Sequence, residues 1–118
     1  MKASLSNYRQ APRKVRLIAD LVSGKPATIA KSMLDNLIKR GALPIKKLLD
    51  SAISNSGVSA DNLVVKSLRV DKGVVIKRWM PRAMGRAFPI HKHTSNVVLE
   101  LAKTTDKKIE SKTSTPNA

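Results

Sequence analysis

Residues 77–96 read KRWMPRAMGRAFPIHKHTSN, and the fold of the chain turns on what this stretch can form. Pro81 and Pro89 bar a regular helix, because a helical proline removes a backbone donor and clashes with the preceding turn. The apolar residues here follow no helical stripe. The flanks differ in kind. LVVKSLRV at 63–70 and GVVIKRW at 73–79 are β-branched and partly alternating, and NVVLELAK follows at 96–103. The simplest arrangement is one antiparallel hairpin, spanning about 70–97 with its tip near residue 84. At ~3.3 Å per residue each arm reaches about 45 Å, more than a small domain can cover, so the distal half projects. A two-stranded ribbon is marginal alone in water. Something outside the chain has to hold it.

Working back towards the N-terminus, three helical patterns precede the hairpin. In APRKVRLIADLVSGK, Pro12 suits a first helical turn. Val15, Ile18, Ala19 and Val22 then form one apolar face, and Gly24 supplies the stop. A second helix is expected from about Pro26 to Lys39, burying Ile29, Ala30, Met33, Leu34 and Leu37 and ended by Gly41. A third, from Pro44, carries the cleanest periodicity of all, Ile45, Leu48, Leu49, Ala52 and Ile53, with Gly57 as its breaker. Residues 2–9, KASLSNYR, alternate loosely, as a short edge strand does. The reading is α+β: three helices on a small three-stranded antiparallel sheet, with a long projecting hairpin. Residues 1–102 form one domain, and the polar stretch 103–118 is a disordered tail.

The 118 residues hold 23 Lys and Arg against 8 Asp and Glu, a net charge of +15. A compact domain so basic repels itself unless a polyanion neutralises it, and nucleic acid is the usual one. The charge is not uniform. Residues 1–40 hold nine basic and two acidic side chains, residues 41–65 two of each, and residues 66–93 eight and one. Two basic blocks on a neutral scaffold imply two contact surfaces. Within the first block Arg13, Lys14 and Arg16 crowd the opening turn of a helix, where the dipole already disfavours cations. An external anion would relieve that conflict. Arg9 and Lys25 belong to the same block. Arginine's planar fork matches phosphate, and Arg78, Arg82 and Arg86 recur at even spacing through the hairpin, with Lys77 beside them.

Other chemistries find little support. Cysteine is absent, so there is no disulfide framework, and the chain reads as a soluble protein of a reducing compartment. No apolar run approaches a membrane span, so no membrane partner is expected. There is no Gly-rich phosphate loop and no nucleophile elbow. His91 and His93 share a strand face and would give a metal-assisted nuclease its ligands. Lys92 between them disfavours a cation, and no metal or other cofactor is expected. The remaining rival is a free basic binder of DNA or RNA using the tip as a wedge. It gives no reason for a long hairpin bearing Trp79 and Phe88.

These residues resemble a known family. QAPRKVRLIADLVSGK at 10–25 and KRWMPRAMGRAFPIHKHTSNVVLEL at 77–101 are similar to the two signatures of the universal ribosomal protein that is the twenty-second of the large subunit. The similarity runs in register over about 4–102. It implies a structural, non-enzymatic component that binds large-subunit rRNA and assists early assembly. It also implies a globular part near the mouth of the peptide exit tunnel and a hairpin tip lining the tunnel wall. Carried onto this chain, Met80, Pro81, Arg82, Ala83, Met84, Gly85, Arg86 and Ala87 form the tip. Arg13, Lys14, Arg16 and Lys25 face RNA from the globular part, and Lys92, Thr94 and Ser95 contact it along the returning arm. Neighbouring large-subunit proteins, the nascent polypeptide and macrolides lodged near the tip are the implied partners, with no homo-oligomer. The implied location is the ribosome of the cytoplasm, with an organellar ribosome as the alternative. Lys72, His93 and Asn96 depart from the family's usual residues.

Overall fold

The structure, a computed structural model, describes residues 2–104. Chain order is β1 (Lys2–Tyr8), α1 (Pro12–Val22), α2 (Ala27–Asn36), α3 (Ala42–Ser56), β2 (Leu63–Pro81) and β3 (Ala87–Lys103). The sheet is antiparallel with strand order β1-β3-β2. The three helices supply the other layer of the α+β fold. The last strand occupies the centre, so the sheet closes only when both ends of the chain have come together.

The core is aliphatic, as the shortage of aromatics requires. Val15, Ile18 and Val22 of α1 and Ile45 and Leu49 of α3 bury against Leu63, Val65, Val97 and Leu99 of the sheet. α1 has the face the sequence dictates, with Pro12 in its first turn. At β2's base, the Gly24 amide donates to the Val65 carbonyl at 3.0 Å and the Val65 amide to that of Lys25 at 2.9 Å. The 24–26 segment thus covers that stretch of strand edge, which would otherwise offer unpaired donors and acceptors.

α2 departs from expectation. It ends at Asn36, not Lys39, and Leu37 turns extended at φ −81°, ψ 126°. Its buried residues are Ala27, Ala30 and Leu34, while Ile29 is 51% exposed. Gly41 does not cap this helix in a left-handed conformation. Its φ is −73°, and it precedes the first turn of α3, which starts at Ala42 instead of Pro44. Glycine stands there for room: a Cβ would lie 2.7 Å from Ile18 Cδ1 and 3.0 Å from Gln10 Oε1. Gly57, by contrast, has φ +66° and ends α3 as a left-handed cap.

β2 and β3 pair from Leu63↔Lys103 to Pro81↔Ala87, so the long arms form one hairpin. The molecule measures 67 × 33 × 24 Å, and its radius of gyration of 18.0 Å exceeds the roughly 13 Å of a compact chain this long. The excess is the ribbon projecting from the domain. Lys103, assigned to the tail from sequence, is the last residue of β3. Thr104 follows it, exposed, and residues 105–118 of that assignment lie outside the described residues.

Candidate nucleic-acid interface

The two basic blocks, separated in sequence by a neutral helix, meet in space. A concave region of about 800 Å³ lies between the start of α1 and the root of the hairpin. Arg9, Gln10, Ala11 and Lys14 line one wall, and Ile76, Arg78, His91, Lys92, His93 and Thr94 another; Arg40 joins them from the α2–α3 loop. The positive end of the α1 dipole faces this region, with no acidic residue in its first turn and no side-chain cap. An anion there would meet cations from three segments of the chain.

Where the acids sit sharpens the contrast. Among the described residues the ion pairs are Lys2–Glu100, Lys31–Asp50, Lys46–Asp35 and Arg69–Asp71, all in the globular part. The Lys2 ammonium, hydrogen-bonded to Glu100, holds that carboxyl below its usual range, and the hydrogen bond to Asp35 raises Lys46. From Lys72 to Leu99 the sequence has no acid at all. Among the described residues, none of Arg9, Lys14, Arg40, Arg78, Arg82, Arg86 and Lys92 forms an ion pair. Their charge is left for an external partner.

The other expected contact residues sort by position. Arg16 is tied down: its guanidinium donates to the Val70 carbonyl at 3.2 Å, linking α1 to β2. Arg13 and Lys25 are exposed. Lys77 pairs across the ribbon with His91, and Val75 with His93. No group of three His, Asp or Glu residues gathers among the described residues.

Thr94 and Ser95 sit differently from the other expected contact residues. They are 3% and 0% exposed, and both hydroxyls are engaged inside the protein. Thr94 Oγ1 donates to the Val74 carbonyl at 2.5 Å, and Ser95 Oγ to the Gln10 carbonyl at 2.5 Å. The next residue, Asn96, accepts the Asn7 amide through Oδ1 at 2.9 Å. Three consecutive side chains of β3 therefore bind three separate segments: β2, the β1–α1 connection, and β1. This clamp sits where the ribbon leaves the domain. Beside it β2 bulges between Lys72 and Val75, and Gly73 lies so close to Thr94 that a Cβ would come within 2.5 Å of Oγ1 and 3.2 Å of the Thr94 carbonyl. Asn7, at φ +56°, adopts a left-handed conformation that asparagine tolerates better than most residues.

At the far end, Ala83–Gly85 makes a tight turn in which Met84, at φ 62°, and Gly85, at φ 68°, are both left-handed. The Arg82 amide closes it on the Arg86 carbonyl at 2.7 Å. Arg82, Ala83, Met84, Arg86 and Phe88 surround a shallow, mainly apolar hollow of about 650 Å³. Trp79 is 69% exposed, and Met80, Met84 and Phe88 are exposed as well.

A sequence profile for the family described as ribosomal protein L22p/L17e matches residues 3–102. The chain belongs to that family. It is similar to the large ribosomal subunit protein uL22 of Mycoplasma capricolum, 48% identical over 102 residues, covering 83% of this chain and 92% of the relative. It is also similar to uL22 of Mesoplasma florum, 49% identical over 102 residues, with 83% and 91% covered. Against uL22 of Wolinella succinogenes it is 46% identical over 100 residues, with 85% and 92% covered. The L22p/L17e family is a structural, non-enzymatic component of the ribosome, so this member has a structural role and the nuclease reading falls.

Arg40 is the cleft residue that the sequence reading missed. LIKRGAL looked like the end of a helix, and nothing local shows that this loop reaches the hairpin root. The tight packing of Gly41 on Gln10 and Ile18 brings it there.

Proposed function

We propose that this L22p/L17e-family chain is built into the large ribosomal subunit, binds its rRNA through the basic cleft and the hairpin, and assists early subunit assembly. Residues 1–102 act as one domain. Its globular part sits near the mouth of the peptide exit tunnel, and the tip from Met80 to Ala87 lines the tunnel wall. Arg9, Arg13, Lys14, Lys25, Arg40, Lys77, Arg78 and Lys92 meet phosphates near the domain, and Arg82 and Arg86 do so further out. The observation that carries this reading is the acid-free ribbon, whose cations form no ion pair among the described residues and continue into the cleft. RNA phosphates would neutralise them, releasing counterions, and would clamp a ribbon that is marginal alone. The apolar hollow at the tip offers a surface past which a nascent chain slides, close to where macrolides lodge. Neighbouring large-subunit proteins complete its surroundings, in a ribosome of the cytoplasm or of an organelle.

Sedimentation of a cell lysate tests this. The chain should migrate with large subunits at about one copy each and stay there in salt that strips loosely held factors. Release at moderate salt together with bulk nucleic acid would favour a free basic binder instead.

A further inference from the structure

The most exposed large apolar side chain among the described residues is Ile38, at 97%. It sits in the short loop between α2 and α3, followed by Lys39 and Arg40. Loops usually carry polar residues at such positions, and an isoleucine standing fully in water gains nothing from its own fold.

The loop is well held. Leu37 packs against the core, and the Ala42 amide donates to the Lys39 carbonyl at 3.1 Å. Gly41 is pressed against Gln10 and Ile18. Gln10 in turn is bound through its carbonyl to Ser95 at the hairpin root. Ile38 is therefore presented from a backbone in fixed relation to the cleft, and Arg40, two residues on, lines that cleft.

We infer that Ile38 is an apolar wedge that packs against the face of an unstacked RNA base at the rim of the basic cleft, while Lys39 and Arg40 hold the flanking phosphates. The inference rests on the rRNA-binding reading above. Charge complementarity selects the occupant. A protein covering Ile38 would have to bring enough acids to balance Lys39, Arg40 and the cleft cations beside them. An RNA strand brings phosphates on both sides of every base, and single-stranded or bulged RNA exposes the apolar faces of its bases. Aliphatic wedges against base steps are an established way for basic proteins to grip a nucleic acid. On this view Ile38 fixes where the RNA strand lies at the cleft, whereas phosphate contacts alone would let it slide.

The test measures binding of the full chain to a full-length large-subunit rRNA transcript across a salt series. Ile38→Ala should weaken binding about ten-fold, as expected for losing one buried aliphatic contact, and should leave the slope of log affinity against log salt unchanged. Ile38→Leu should restore most of the loss. Arg40→Ala should also weaken binding but make the slope shallower by about one. Thermal unfolding of each variant should match the parent, because Ile38 supports no packing. In parallel, a photo-reactive residue at position 38 should cross-link to an rRNA base in assembled subunits. Parental affinity for Ile38→Ala, or a cross-link to a neighbouring protein, would overturn the wedge while leaving the rRNA-binding reading intact. Failure of the parent chain to bind the transcript would instead remove the reading on which the wedge stands.

Discussion

The Ser95 hydroxyl donates to the Gln10 carbonyl at 2.5 Å, joining residues 85 positions apart at the root of the hairpin. Ser95 has no exposed surface. Ser95→Ala removes the donor and leaves a carbonyl to find another partner. Such a loss costs about 1–3 kcal/mol. Urea unfolding should show a lower midpoint with an unchanged slope. Were Ser95 a direct RNA ligand, the same variant would unfold like the parent and lose only RNA affinity.

Gly73 faces Thr94 across the bulge in β2, and the atoms a new Cβ would meet include backbone, which cannot swing aside. Gly73→Ala should therefore destabilise by about 1–3 kcal/mol, the usual cost of overpacking. The instructive comparison is Gly85→Ala at the tip. No atom lies within 4 Å of its Cβ position, but φ is +68°, so the strain there is conformational alone. Thermal unfolding should rank Gly73→Ala as the more damaging, because Gly85 belongs to a turn on which the core does not depend. Equal effects would mean that the root has room to adjust.

The elements legible in sequence were those governed by local rules. α1 announced itself through Pro12, its apolar face and Gly24. The hairpin was legible because two prolines excluded helix and β-branched runs flanked them. Met84 and Gly85, near the predicted tip at residue 84, do make the turn. Misreadings arose where tertiary contact decides. Gly41 resembled a helix terminator, but glycine is required there by the approach of Ile18 and Gln10. RNA contact at Thr94 and Ser95 was implied by the family resemblance alone, and their hydroxyls bond within the protein. Successive strand residues face opposite sides, so burying both requires cover from two directions. The bulged β2 supplies one and the Gln10 segment the other, and neither is visible within HKHTSN.

Charge reversal at Arg82 and Arg86 separates contact from mere presence. Neither forms an ion pair among the described residues, so Arg→Ala removes an attraction while Arg→Glu adds repulsion from phosphate. Doubly reversed protein should incorporate into large subunits more poorly than the double alanine variant, as read from gradient fractions. Equal defects would count against phosphate at these positions. Neither change should alter unfolding of the free protein by more than about 0.5 kcal/mol, since both residues are exposed.

Met84 is almost fully exposed at the turn and borders the apolar hollow. Replacing it with Lys, or inserting one residue beside it, changes the shape and charge of the tip without touching the core. Cells carrying such variants should assemble subunits at normal yield yet differ from the parent in macrolide sensitivity. Unchanged sensitivity across several variants would place the tip away from the drug site.

The Lys2–Glu100 pair ties the edge strand β1 to the central strand β3 at 3.0 Å. Lys2 lowers the Glu100 pKa in the folded state. A carboxyl with a depressed folded pKa contributes stability that is present above its unfolded pKa and is lost as pH falls through the folded value. The parent should therefore unfold at higher temperature than Glu100→Gln near pH 7, and the gap should close as the solution is acidified below the normal carboxylate range. Because the pair is exposed to solvent, raising the salt concentration should narrow the gap as well. A gap that persists at low pH and high salt would assign the effect of Glu100 to its hydrogen bond with Ser67, at 3.4 Å, and not to its charge.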